Sequence, residues 1–416
     1  MAALTTGDGL NDVVVTAVTS TTSLAPDAEQ TWKHLLDKRS GIRTLDRPLI
    51  HEFHPPVRIG GALTEDFDEH LNRVELRRLS YLQKMATVLG RRLWDQAGAP
   101  EVDTSGLMVS IGLALGTAEE IVIQYDIFKA RGLRAVSPLS VQMYMPNSPA
   151  AAVGLERQAK AGIVCPLMAD ASGASAIAEA WKHIALGEAD MAICGGVDTW
   201  IGPVTLTAFH KLGLLSADNE HPAAASRPFD KHRSGAVFGE AGALLVLENA
   251  DHAQARGATI LARLLGAGST SDGYDDVLPE PSGESAGTAI TRAIESAGLG
   301  PEDVDAVIAS ACGTQPGDQA EANALRHALG AHRPAVYAPK AALGHSWGSV
   351  GAVDAVLAVQ AIRDGVLPPT LNYETPDPDV DLDVVAHEPR RGEYRHALLN
   401  SFGFGGYNVS LVFGAA

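Results

Sequence analysis

The segment IVCPLMADASGASAIAEAWKHIAL, Ile163 to Leu186, changes its periodicity at the middle. Its first part, Ile163 to Asp170, is an apolar run that reads as a buried strand. The rest, from Ala171, follows the 3.6-residue spacing of a helix, and its small residues let that helix start tightly against neighbouring backbone. A second run, ADMAICGGVD, Ala189 to Asp198, follows within a few residues and reads as another strand. Strand, helix and strand at this spacing imply layered α/β architecture with buried strands, not a sandwich.

The same alternation extends in both directions. Toward the N-terminus lie an apolar run at Val13 to Val18, a helix expected over Leu76 to Ala97, a strand over Gly106 to Gly112, and a helix over Pro149 to Lys160 with Ser148 as its cap. From about Thr259 the scheme repeats with ILARLLGAGST, a helix over Ala286 to Ala297, the strand AVIASA, a helix over Gln319 to Leu329 and another after Ser346. A duplicated unit follows, with residues 1–258 and 259–416 as its halves, although direct identity between the halves is weak.

The chain has 416 residues, 46% hydrophobic and 20% charged, enough to bury a large core. Its net charge of -18 and the absence of a basic block argue against nucleic acid. The spacings of Cys165, Cys194 and Cys312 form neither a disulfide framework nor a metal knuckle, which fits a reducing compartment. The N-terminal stretch lacks a basic region followed by an apolar run, so no secretory leader is expected. No run of about 18 apolar residues suggests a membrane span. A soluble cytoplasmic protein without metal or cofactor is the expectation.

Four segments carry a family resemblance together: SRPFDKHRSGAVFGEAGALLVLE, YAPKAALGHSWGSVGA, GVLPPTLNYETPDPDVDLDVV and NSFGFGGYNVSLVFG. They resemble the elongating β-ketoacyl-acyl carrier protein synthases, especially those of actinobacterial mycolic-acid synthesis, from about Val14 to Gly414. The resemblance implies a thiolase fold in five alternating layers, a homodimer or heterodimer, and an acyl carrier protein as partner. It also implies a cysteine thiolate at a strand-to-helix junction, two histidines that drive decarboxylation, and a supporting lysine.

Carried onto this chain, the resemblance places Asp170 at the nucleophile position and Ser310 at the first histidine, in SACGTQPGD. His345 and Lys340 match the second histidine and the lysine. Cys312 stands where the family has a threonine lining the pantetheine path, Thr314 matches a second one, Phe402 and Phe404 match the glycine-flanked gate, and Asn408 also matches. A carboxylate cannot store an acyl chain as a thioester, and its charge repels an incoming malonyl group.

Each position also has a plainer reading. Asp170 suits a helix N-cap. Ser310 suits a small polar filler, and Cys312 a buried small hydrophobe or a relocated nucleophile served by His345. His345 and Lys340 suit a buried network, Phe402 and Phe404 core aromatics, and Glu240 and Asp230 scaffold hydrogen bonding. Arg73, Arg77, Arg78 and Lys84 form a basic stretch that is either a solvated helix face or a docking patch for an acidic carrier protein. Three functions follow: a partner subunit like the chain-length factors of type II polyketide synthases, an enzyme with altered acyl-transfer or decarboxylase chemistry through Cys312 and His345, or a homodimer that binds acyl or carrier-protein ligands without turnover.

Overall fold

A computed structural model of the chain describes residues 9–199 and 201–416. The first eight residues of the stretch read for a leader lie outside the described residues.

Among the described residues eleven strands form one mixed sheet: β1 Val13–Thr21, β2 Leu107–Gly112, β3 Gly162–Val164, β4 Met191–Asp198, β5 Ala241–Asn249, β6 Ala262–Ser271, β7 Ala306–Ile308, β8 Ala335–Tyr337, β9 Asp383–Val384, β10 His396–Gly403 and β11 Tyr407–Gly414. Their spatial order is β9-β8-β7-β10-β11-β6-β1-β5-β4-β2-β3. Counted outward from the centre, β1, β5, β4, β2, β3 and β6, β11, β10, β7, β8 follow the same connectivity. The topology therefore repeats where side-chain identity does not. The two sets meet through β1 and β6, where Val14 pairs with Arg263 and Val15 with Ala262.

The strands are apolar on both faces because helices cover both. Along β2, Leu107, Val109 and Ile111 pack on helix α1, Tyr81–Gln96, while Met108 faces the opposite core. That opposite core holds α2, Ser172–Ala185, which inserts Ile177, Trp181 and Ile184, each contributing about 1.5–3 kcal/mol through burial. In the second half, α3, Glu284–Ser296, and α4, Gln315–Leu329, cover the outer face through Ile290, Ile294 and Leu325. Helix α5, Val350–Asp364, shares the central layer with α2 and is buried from Val350 to Ala361. A helix apolar on every side belongs in such a middle layer. This is the five-layer thiolase arrangement that the resemblance implies.

Three local expectations are corrected. The helix expected over Leu76 to Ala97 is two, Arg73–Arg78 and α1, with extended backbone at Leu79 and Ser80. Asn72 with Glu75 forms a capping box, and Gln83 Oε1 accepts from Ser80 N–H, so each piece has its own start signal. The run from Ile163 to Asp170 is a strand only to Val164, at the sheet edge rather than the interior, with Ile163 and Leu167 exposed. Pro166 has no N–H to continue a ladder, which fits a short edge strand. The helix expected from Pro149 to Lys160 spans Ser148–Arg157; Ser148 is inside it, and its hydroxyl donates to Met143 O.

Candidate functional site

Asp170 lies in a single 3-10 turn, Ala169–Ala171, that leads directly into α2. Ala169 takes φ 48°, a left-handed value that turns the chain sharply before the helix. The carboxylate does not cap the helix, contrary to the N-cap reading. Phe404 N–H, from the hairpin between β10 and β11, donates to Asp170 Oδ2 at 3.3 Å. Ser172 instead serves the helix start: its hydroxyl accepts from Met168 N–H at 2.8 Å and donates to Ala169 O at 2.6 Å. Gly403 is required opposite, since a β-carbon there would sit 2.8 Å from Asp170 Oδ2 and 2.9 Å from Asp170 N. Asp170 is 4% exposed, its Oδ1 makes no hydrogen bond, and burial pushes the carboxyl pKa up to about 7.

His345 faces that free oxygen, with Nε2 3.4 Å from Asp170 Oδ1. Trp347 N–H donates to His345 Nδ1 at 3.3 Å, which assigns the proton to Nε2. Burial and the nearby Lys340 charge push the imidazole down to about 3, so it is neutral and the contact is not an ion pair. Lys340, 2% exposed, donates to Asp354 Oδ2 at 2.8 Å and to Ala309 O at 2.9 Å. Asp354 comes from the first turns of α5.

Ser310 stands just beyond β7, and its hydroxyl accepts from Phe402 N–H at 3.0 Å and donates to Phe402 O at 3.4 Å. It stitches β7 to β10 without an activating base in contact among the described residues. Cys312 has Thr314 Oγ1 3.8 Å from its sulfur, and burial together with Asp318 pushes the thiol up to about 12. A thiol so held is protonated at neutral pH, and no hydrogen bond joins it to His345 among the described residues.

Carboxylates not singled out in the sequence hold this loop. Glu321 accepts from Ser310 N–H, Ala311 N–H and Asn400 Nδ2, and Asp318 accepts from Phe229, Cys312 and Gly313 N–H groups. Burial raises Glu321 to about 7 and Asp318 to about 6. Their position on the first turns of α4, after the GTQPG turn, was the available signal. Glu240 and Asp230 act as scaffold, as expected: Glu240 accepts from Leu63 N–H and pairs with Arg47, and Asp230 accepts from the N–H groups of His232, Glu374 and Thr375.

Asp170, Ser310, Cys312, Thr314, His345, Phe402, Phe404 and Asn408 all line one cavity of about 940 Å³, counting its open mouth. Lys340 lies behind His345, outside the lining. Phe404 packs edge-on against Phe209 at 5.3 Å and beside Trp347 at 6.1 Å between ring centroids; Phe238 completes this cluster. Trp347, Phe209 and Phe238 carried no signal beyond hydrophobicity.

Arg73, Arg77, Arg78 and Lys84 lie away from the cavity. The three arginines are exposed on the short helix and form no ion pair among the described residues, whereas Lys84 pairs with Asp68 at 2.7 Å.

Comparison with known proteins agrees with this architecture. Residues 10–253 match the N-terminal domain of the β-ketoacyl synthases, and residues 261–374 match the C-terminal domain. The chain is 62% identical over 415 residues, covering all of both chains, to the 3-oxoacyl-[acyl-carrier-protein] synthase 2 of Mycobacterium tuberculosis strain H37Rv. Among solved structures it is similar to the ishigamide ketosynthase/chain length factor, with a TM-score of 0.90, 28% identity, and coverage of 98% of this chain and 100% of that one. It is also similar to a type II polyketide synthase acyl-carrier protein in complex with its ketosynthase bound to the hexaketide, with a TM-score of 0.90, 25% identity and the same coverage. With both domain models matched and a relative 62% identical over its whole length, the chain belongs to the β-ketoacyl synthase family.

Proposed function

We propose that this chain is a condensation-incompetent partner subunit of fatty-acid or polyketide elongation, cytoplasmic and comparable to a chain-length factor. The observation that carries the reading is the occupant of the junction before α2: a carboxylate, held by Phe404 N–H, at the position that the resemblance assigns to the family's thiolate. Ser310, engaged with Phe402, supplies no imidazole to the reacting centre. On this reading the halves divide near residues 258 and 259, and His345 and Lys340 persist as parts of the buried scaffold.

A partner has a surface to cover. Helix Ala118–Arg131 has no buried residue, yet presents Ile121, Val122, Ile123, Tyr125 and Phe128 to solvent, and the edge strand β3 exposes Ile163. Exposed apolar side chains of this kind suit an interface. Pairing along β3 with a cysteine-bearing homologue is the assembly we infer, with acyl carrier protein reaching the complex through Arg73, Arg77 and Arg78.

Co-expression with such a homologue followed by native mass spectrometry tests this assembly. The expected product is a one-to-one heterodimer whose acyl products differ in length from those of the homologue alone. Exclusive self-association of this chain, with the homologue's products unchanged, would refute it and leave a ligand-binding homodimer.

A further inference from the structure

The cavity has a one-sided balance of charge. Among the described residues four carboxylates line it, Asp170, Asp272, Glu280 and Glu321, and no lysine or arginine does. Three of the four are satisfied internally. Glu321 takes the N–H groups of Ser310 and Ala311, one on each oxygen. Asp272 takes Asn408 Nδ2 on one oxygen and Glu280 N–H on the other, and Glu280 takes Ser282 on both. Asp170 differs: Oδ2 is occupied by Phe404 N–H, while the buried Oδ1 accepts no hydrogen bond. The mouth is acidic as well, since Asp275 and Asp276 are exposed on the loop that brings Val277 and Leu278 to the lining. One stretch of the wall is apolar, built from Phe209, Leu214, Leu215, Phe238 and Trp347.

These features select a ligand. An apolar chain suits the wall. A terminal carboxylate would face four acidic groups with no cation to pair with, and burying an unpaired charge is costly. An acyl carbonyl could accept from the His345 Nε2 proton but has no proton to give Asp170 Oδ1, so the two oxygens would face each other unpaired. A hydroxyl fits: it donates to Asp170 Oδ1 and accepts from the proton on His345 Nε2, 3.4 Å from that oxygen. An ammonium could do only the first and would meet the Nε2 proton.

We infer that the cavity is a binding site for a free, uncharged long-chain ligand headed by a hydroxyl group, and that it discriminates against fatty carboxylates and acyl thioesters. The inference rests on the reading of a non-condensing subunit and names what its own cavity takes.

Isothermal titration of the intact chain at pH 8 with 1-decanol, decanoate, decylammonium and S-decanoyl-N-acetylcysteamine tests it. Decanol is expected to bind about tenfold tighter than each of the others. Asp170→Ala should erase the preference by weakening decanol and admitting decanoate. Asp170→Asn, which keeps the shape and an accepting oxygen, should leave decanol unchanged and raise decanoate affinity, so the test stands even if the alanine variant does not fold. Failure of decanol to bind, equal or tighter binding of any competitor, or an unchanged ratio in the folded variants would overturn the inference. A condensation assay on the same preparation reports separately on the non-condensing reading, so the two can fail independently.

Discussion

Asp170 and Asp354 are both buried carboxylates near Lys340, and their surroundings separate two kinds of site. Asp354 has the Lys340 ammonium at 2.8 Å, in the central layer between the two sets of strands. Burial raises its carboxyl pKa and Lys340 pulls it back. Asp170 has one backbone amide, a neutral imidazole at 3.4 Å and a cavity on its remaining side. The first arrangement is a closed scaffold. The second leaves an acceptor open, as at a position kept for a ligand rather than for stability.

The largest expected effect comes from opening the closed pair. Lys340→Ala leaves Asp354 buried and unpaired, and should cost about 3–5 kcal/mol in chemical denaturation. Replacing both partners with apolar residues, Lys340→Met with Asp354→Leu, should recover most of that loss; a single variant as stable as the wild type would break the distinction between the two sites.

Asp170 should respond in the opposite sense. Its folded pKa of about 7 lies above the ordinary carboxylate value, so the folded state binds its proton more tightly and stability falls as pH rises toward 7. Asp170→Asn removes that penalty, so the variant should be more stable than the wild type at pH 8, on the order of 2–4 kcal/mol, with the gain disappearing toward pH 4. Melting curves across that range read it directly. Destabilisation at pH 8 would show that the carboxylate is itself a structural element.

The smallest effect on stability is expected at the exposed arginines. Arg77→Glu with Arg78→Glu should change stability by less than about 0.5 kcal/mol while weakening carrier-protein binding to the assembled complex. Unchanged binding would leave that helix as a solvated face.

The layering was legible because strands buried on both faces and amphipathic helices leave different periods in the sequence, as around Leu107–Gly112 and Glu284–Ser296. The gathering of Asp170, Ser310 and His345 was legible through the motifs that carry them. The edge position of Ile163 was not, because an apolar strand awaiting a partner looks like an interior one until its neighbours are counted. Nor was the free oxygen of Asp170 visible: whether a carboxylate caps its own helix or turns to Phe404 depends on a hairpin more than two hundred residues away. Asp354 and Glu321 escaped notice because buried acids on helices look like surface acids until their partners are placed.

We propose that this site cannot hold an acyl chain through sulfur: the junction carries Asp170, and the Cys312 thiol is held protonated. That proposal is tested most directly by incubating the purified chain, free of any homologue, with acyl- and malonyl-carrier protein and weighing the products. No two-carbon extension and no acyl adduct on the chain are predicted; a lengthened product made by this chain alone would contradict the account.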